Sequence, residues 1–392
     1  MPSIKITRRK LIRVAPLILA APAIIRPSQA AFVSFGVNGS PINPWPAVDG
    51  SPGAPAGTAQ FPTLLNSYGP TGFTPGRYTW PSIAAFNVTN GNFQQPQWKV
   101  AGVDYAVGPD SAYGTSIPFK VPGTDALPSG ATFNGTNRIT IGSSNVTLDG
   151  WDLTQGSGQG VLVSAANATI SNCKFLMTAN TTFAMIDGSS SSASGLFITK
   201  CFLNSNGFTD TNSTAMVLIN TGTCTYSLLQ YAGSDVFHTD AHSTSSNVTT
   251  KYNVVLDAGQ EAGTHPDWLS VGVSGTGVYT FDISFNLLVQ HNTLVGSQPF
   301  VLGTDNGNAT QQGDFNNNTE LSLNSATAGP GTGTQNLNNL LWITAAEAAR
   351  GTGFNVLNNF FDPTVVGSFG GGGGFFTSNI NMLNGTLAHA NS

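Results

Sequence analysis

Val146-Thr147-Leu148-Asp149-Gly150-Trp151-Asp152-Leu153 and Ala168-Thr169-Ile170-Ser171-Asn172-Cys173-Lys174-Phe175 follow one pattern. The pattern alternates apolar and polar residues, breaks at a small or turn-forming residue, and then alternates again. It recurs at Leu196–Leu203, Cys224–Tyr231, Val248–Val255 and Phe281–Leu288, and more faintly at Phe354–Phe361. From 146 to 281 the starts are separated by 22, 28, 28, 24 and 33 residues. A unit of twenty-odd residues with variable spacing suits a coil of short strands whose turns accept insertions. Helical repeats hold a fixed length, and no run of helical period lies between these strands, so a doubly wound fold is excluded.

Stacking the units gives columns. The third position reads Leu148, Ile170, Ile198, Tyr226, Thr250, Ile283 and Val356. The sixth reads Trp151, Cys173, Cys201, Leu229, Asn253, Asn286 and Asn359. Strands of successive coils hydrogen-bond about 4.8 Å apart, so like residues lie on like residues and stacked asparagine amides bond along the column. On this reading Cys173, Cys201 and Cys224 are buried apolar thiols, since their spacing lacks any Cys-x-x-Cys pair. Between Asn137 and Asp362 the pattern resembles the right-handed parallel β-helix of the pectate lyase and polygalacturonase superfamily. That resemblance implies an all-β, single-stranded right-handed parallel β-helix, or solenoid, with an irregular N-terminal cap. It also implies a polysaccharide lying in a groove on the outside of the coil. The Asn-Thr-Asp, Asp-Asp, Gly-His-Gly and Arg-x-Lys signatures of polygalacturonases do not occur beyond the first thirty residues, and His238-Thr239-Asp240 only echoes the first. The Trp-Ile-Asp-His signature of pectate lyases is also missing. No catalytic role therefore carries over residue by residue.

The flanks of the coil read differently. Residues 1–30 form an export signal, with Arg8-Arg9-Lys10, a short apolar run over 14–25 and a small-residue cleavage site at Ser28-Gln29-Ala30. The paired arginines resemble a bacterial twin-arginine signal, and a general secretory signal is the alternative. Either one predicts a periplasmic or extracellular protein with no membrane span after signal removal, because that run is too short to cross a bilayer. Residues 31–136 are an irregular leader rich in Gly and Pro that would cap the first sheet edge. Residues 137–362 form the coil, with a polar loop expected over 303–335. Residues 363–392 form a Gly-rich C-terminal segment. Six of the 14 basic residues fall in the signal and all 19 acidic residues lie beyond it. The exported chain thus carries eight basic against 19 acidic residues, a net charge of −11. So few cations exclude a nucleic-acid surface and argue against a polyanionic partner. A monomer acting on a polysaccharide is the expectation.

Chemistry concentrates between 234 and 271. In a chain with 8% charged residues, this stretch holds three of the five histidines, His238, His242 and His265, beside Asp235, Asp240 and Asp267. If Asp235-Val236-Phe237 and Asp267-Trp268-Leu269 are one strand on neighbouring coils, alternation turns Val236 and Trp268 inward and leaves both carboxylates stacked and facing water. Two close carboxylates do not ionise independently, so one serves as acid while the other serves as base or nucleophile. Asp240 would adjust their charge, and His265 and His238 would orient substrate or relay a proton. His242, Lys251 and Tyr252 are candidate substrate contacts, and Lys251 is the nearest amine for a lyase base. Asp235, Asp240 and Asp267 could instead hold Ca²⁺, which takes six to eight oxygens. Three readings follow: a glycoside hydrolase with paired aspartates, a Ca²⁺-dependent polysaccharide lyase, and a non-catalytic cell-surface glycan-binding scaffold.

Overall fold

The computed structural model describes residues 100–389, apart from 103–104, 106, 115, 154–159, 209–214, 241–244, 257, 259–267, 273–277, 292–300, 303–309, 324–338, 344–353, 358, 362–367, 371–373, 378 and 382–386. The segment expected to be an export signal, the leader up to residue 99, His242, His265 and Asp267 lie outside the described residues. The chain is a parallel β-helix. Among the described residues, strands from Arg138 to Asn381 recur in threes and give nine coils. A first sheet contains Arg138–Ile141, Gly160–Val163, Ile186–Gly188, Ala215–Ile219, Asp235–Asp240 and Leu269–Gly272. A second runs from Thr147–Asp149 to Gly374–Thr377, and a third from Asp152–Leu153 to Asn379–Asn381. In the last three coils, Val301–Leu302, Asn339–Ile343 and Ser368–Gly370 form a separate parallel sheet at the first sheet's place in the cycle.

Each coil sends alternate side chains to a shared interior. Leu148, Ile170, Ile198, Cys224, Ile283 and Phe315 form one buried column, and Leu153, Phe175, Leu203, Leu229, Val255 and Leu288 form another. Gly222 interrupts the inner face of the second sheet between Leu196 and Val248. A Cβ there would run into the Leu196 carbonyl oxygen and sit 3.0 Å from Ile219 Cδ1. Gly222→Ala must therefore push two coils apart. It should lower unfolding stability by about 1–3 kcal/mol in urea titrations, while an unchanged midpoint would show that the coils yield freely.

The corner between the second and third sheets has two residues in each of the first seven coils, and its first residue has positive φ. Gly150, Asn172, Lys200, Tyr226, Tyr252, Phe285 and Asn317 occupy it, with φ between 51° and 71°. Such angles cost a non-glycine residue on the order of 1–3 kcal/mol unless the surroundings compensate. Stacking supplies part of that: Tyr226 lies 5.0 Å from Tyr252, and Tyr252 lies 5.4 Å from Phe285, centroid to centroid.

A hydrogen-bonded ladder at the second corner residue supplies more. Backbone N–H groups donate to the side chain one coil on: Ser227 to Asn253 Oδ1 at 2.9 Å, Asn253 to Asn286 at 3.0 Å, Asn286 to Asn318 at 3.1 Å and Asn318 to Asn359 at 2.9 Å. The same side chains donate back to the carbonyl oxygens of Cys224, Thr250, Ile283 and Phe315. Cys173 and Cys201 hold the same place in earlier coils. Trp151 N–H donates to Cys173 Sγ, and each thiol points at a carbonyl of the coil before it, Leu148 or Ile170.

Two sequence expectations are corrected here. Cys224 and Ser227, not Tyr226 and Leu229, hold the third and sixth places of their coil. The polar loop expected over 303–335 contains a further coil, Thr310–Asn316 and Thr319–Leu323.

One sheet edge at each end of the coil is covered by antiparallel pairing. Ala131–Phe133 covers the first edge and Leu387–His389 pairs with the last third-sheet strand. Each covers one sheet edge of the kind that invites aggregation. Before the cap, the described leader runs back along the two-residue corner. Tyr105 lies edge-on to Tyr226 and Tyr252, Gly108 N–H donates to Tyr226 O, Asp110 pairs with Lys200, and Tyr113 bonds Asp149. The Tyr113 hydroxyl is pushed up to about 12, first by burial and then by its bond to the Asp149 carboxylate.

Candidate functional site

Asp235–Asp240 is a central strand of the first sheet, between Ala215–Ile219 and Leu269–Gly272. Register aligns Leu162, Asp187, Leu218 and His238 in an outer column on successive coils, and the backbone of His238 pairs with Ser270 on the next. Phe237 and Thr239 are fully buried, which leaves His238 partly open, with 23% of its side chain exposed.

The expectation that Asp235 faces water is overturned, because only 6% of its side chain is exposed. Phe237 and Leu269, which the same alternation would turn outward with the aspartates, are both buried in the core. The cause is local. Val236 and Phe237 are both buried in that same core, so the period of two fails where the chain enters the strand. Strict alternation would put Asp235 and His238 on opposite faces. Instead, Asp235 Oδ2 lies 3.4 Å from His238 Nδ1.

Such a pair has defined chemistry. A carboxylate beside one ring nitrogen fixes the imidazole tautomer and orientation and stabilises the protonated ring. Two coils before His238 in the same outer column, Asp187 accepts from Arg138 Nη2 at 2.6 Å and from Ser189 Oγ at 2.7 Å. The Arg138 guanidinium also lies over the Phe183 ring, 4.9 Å from its centroid. Sequence reasoning missed this neighbouring pair. The one signal for it was the rarity of arginine in the coil.

The other candidates are placed as follows. Asp240 pairs through its backbone with Gly272 at the end of the His238 strand. Lys251 ends a second-sheet strand and forms an ion pair with Asp282 at 2.6 Å. Tyr252 belongs to the corner stack between Tyr226 and Phe285. The structure thus brings Asp235 and His238 together and puts Lys251 and Tyr252 on a different sheet and corner. Of the calcium set, Asp235 is buried against His238, and Asp267 lies outside the described residues. Cys173, Cys201 and Cys224 are free and fully buried. Burial pushes the Cys224 thiol up to about 12 and Cys173 well above its ordinary value, so neither is a nucleophile near neutral pH.

Comparison with protein-family models, with curated proteins and with solved structures finds no match. The site must therefore be read from its own chemistry.

Proposed function

We propose that the chain is an exported polysaccharide-cleaving enzyme of the pectate lyase and polygalacturonase-like superfamily, working on the outer face of the first sheet as a glycoside hydrolase. The contact between buried Asp235 and partly exposed His238 carries this reading. Asp235 is the positioning residue. Its carboxylate holds Nδ1 and favours the charged ring, so Nε2 is the atom that delivers a proton to the leaving glycosidic oxygen. The bond from that oxygen to the anomeric carbon breaks, the hydroxyl of a water joins the carbon, and the water's other proton goes to a carboxylate. Asp240, two residues along the same strand, and Asp267, the acid expected from the sequence, are the candidates for that acceptor. The parallel coil supports the reading by offering a long straight face to a polymeric substrate.

The test is turnover of the purified full chain on a polysaccharide panel, scored by new reducing ends and by the ultraviolet absorbance of unsaturated products. Reducing ends without absorbance are expected. His238→Ala should cut kcat about 10²-fold or more with binding retained, the usual size for loss of a general acid. Asp235→Asn should cut it less and change the pH profile, which a purely structural role would not do. Turnover by both variants equal to that of the wild type would take His238 and Asp235 out of the chemistry, and binding without cleavage in the wild type would leave a glycan-binding scaffold instead.

A further inference from the structure

Resting on that reading, we infer that the polymer bound beside His238 is an uncharged polysaccharide rather than a uronan. Unless a metal ion bridges it, a uronate is recognised best by a cation able to turn toward the sugar carboxylate, and arginine is the usual choice because its planar fork matches two oxygens. The chain has few cations, and the structure shows where five of them are committed. Arg138, Lys174, Lys200 and Lys251 pair with Asp187, Asp152, Asp110 and Asp282 at 2.6, 2.7, 2.8 and 2.6 Å. Lys120 donates to the Asp149 carbonyl at 3.0 Å and leans over Trp151. Arg77, Lys99 and Arg350, the remaining basic residues beyond the signal, lie outside the described residues.

Arg138 decides the matter at the site, because Asp187, its acid partner, shares the outer column of His238. Asp187 is further held by Ser189 through its backbone N–H and hydroxyl, at 3.2 and 2.7 Å, and Phe183 stacks under the guanidinium. The pair is locked from three sides and presents no net charge. Pulling Arg138 away to meet a uronate would leave Asp187 unpaired while 16% exposed, a cost that rejects acidic sugars. Hydroxyl-bearing neutral sugars meet no such penalty.

The test is equilibrium binding of the full chain to a neutral xylan, a neutral β-glucan and polygalacturonate, at about 0.05 and 0.5 M NaCl. The wild type should bind a neutral glycan with less than about twofold salt dependence, and polygalacturonate at least tenfold more weakly. Asp187→Asn keeps the Ser189 contacts but releases Arg138. It should gain at least tenfold in polygalacturonate affinity, and the gain should vanish at high salt. Asp282→Asn releases Lys251 on another sheet and should gain nothing. Preference of the wild type for polygalacturonate overturns this inference and leaves the hydrolase reading standing. Failure to bind any of the three overturns both. A folded Asp187→Asn protein, judged by an unchanged melting curve, that gains no affinity overturns the role given to Arg138.

Discussion

Replacing Asn286 with alanine is expected to lower unfolding stability by about 3–5 kcal/mol, more than truncation of most single polar side chains. The size follows from what the amide does. Its Oδ1 accepts from the Asn253 backbone N–H at 3.0 Å and from Asn253 Nδ2 at 3.2 Å. Its Nδ2 donates to the Thr250 carbonyl at 2.8 Å and to Asn318 Oδ1 at 3.0 Å. Alanine removes all four bonds at a site closed to water. It leaves a backbone N–H and a carbonyl of the preceding coil without partners, at about 1–3 kcal/mol for each orphan. The loss propagates, because each amide in the ladder orients the next one. Asn253→Ser should cost less, about 1–2 kcal/mol, since Ser227 already accepts the Cys201 N–H at 3.1 Å from the same column. Denaturant titration followed by tryptophan fluorescence checks both, as Trp151 and Trp268 are buried. A loss under about 1 kcal/mol for Asn286→Ala would mean that the ladder is decorative.

The same corner explains why the fold could be read from the chain and the site could not. Its two-residue length never changes over the first seven coils, so the strand before and the strand after keep fixed places in the pattern. The other two corners vary in length, which hides the first sheet. The reading slipped where the column changed chemistry: Ser227 stands between cysteines and asparagines, and the apolar Leu229 two positions on looked like the better match. It missed the Thr310–Asn316 coil because that strand shows one large apolar residue, Phe315, which is fully buried. Asn318 in the ladder is the signal that would have found it. At the site, composition marked the 234–271 stretch, but strict alternation would put Asp235 and His238 on opposite faces. Alternation could not reveal that Val236 and Phe237 both enter the core, so the burial of Asp235 was invisible.

Alkaline pH should destabilise the protein from about pH 9 upward, and the cysteines that share the core with the ladder contribute first. Burial raises Cys224 from 9.0 to about 12, and burial with Cys201 stacked beside it raises Cys173 as well. A raised thiol pKa means that the folded chain keeps protons that the unfolded chain releases. The stabilisation is fully present below pH 9, the unfolded value, and is lost as pH climbs from there toward 12. A group shifted that far contributes a slope of about 1.4 kcal/mol per pH unit, so Cys224 accounts for roughly 4 kcal/mol across that window. Tyr226, raised mainly by burial, adds to the slope at the top of the range. Urea midpoints measured between pH 8 and 11 should fall steadily, and Cys224→Ala should flatten that fall while costing stability at pH 8. In native buffer a thiol reagent should find no reactive sulfur on the timescale of minutes, and in denaturant it should find three. Rapid labelling of Cys173, Cys201 or Cys224 in the folded protein would show that the interior opens locally. The packing argument for the coil would then have to be given up together with the pH dependence.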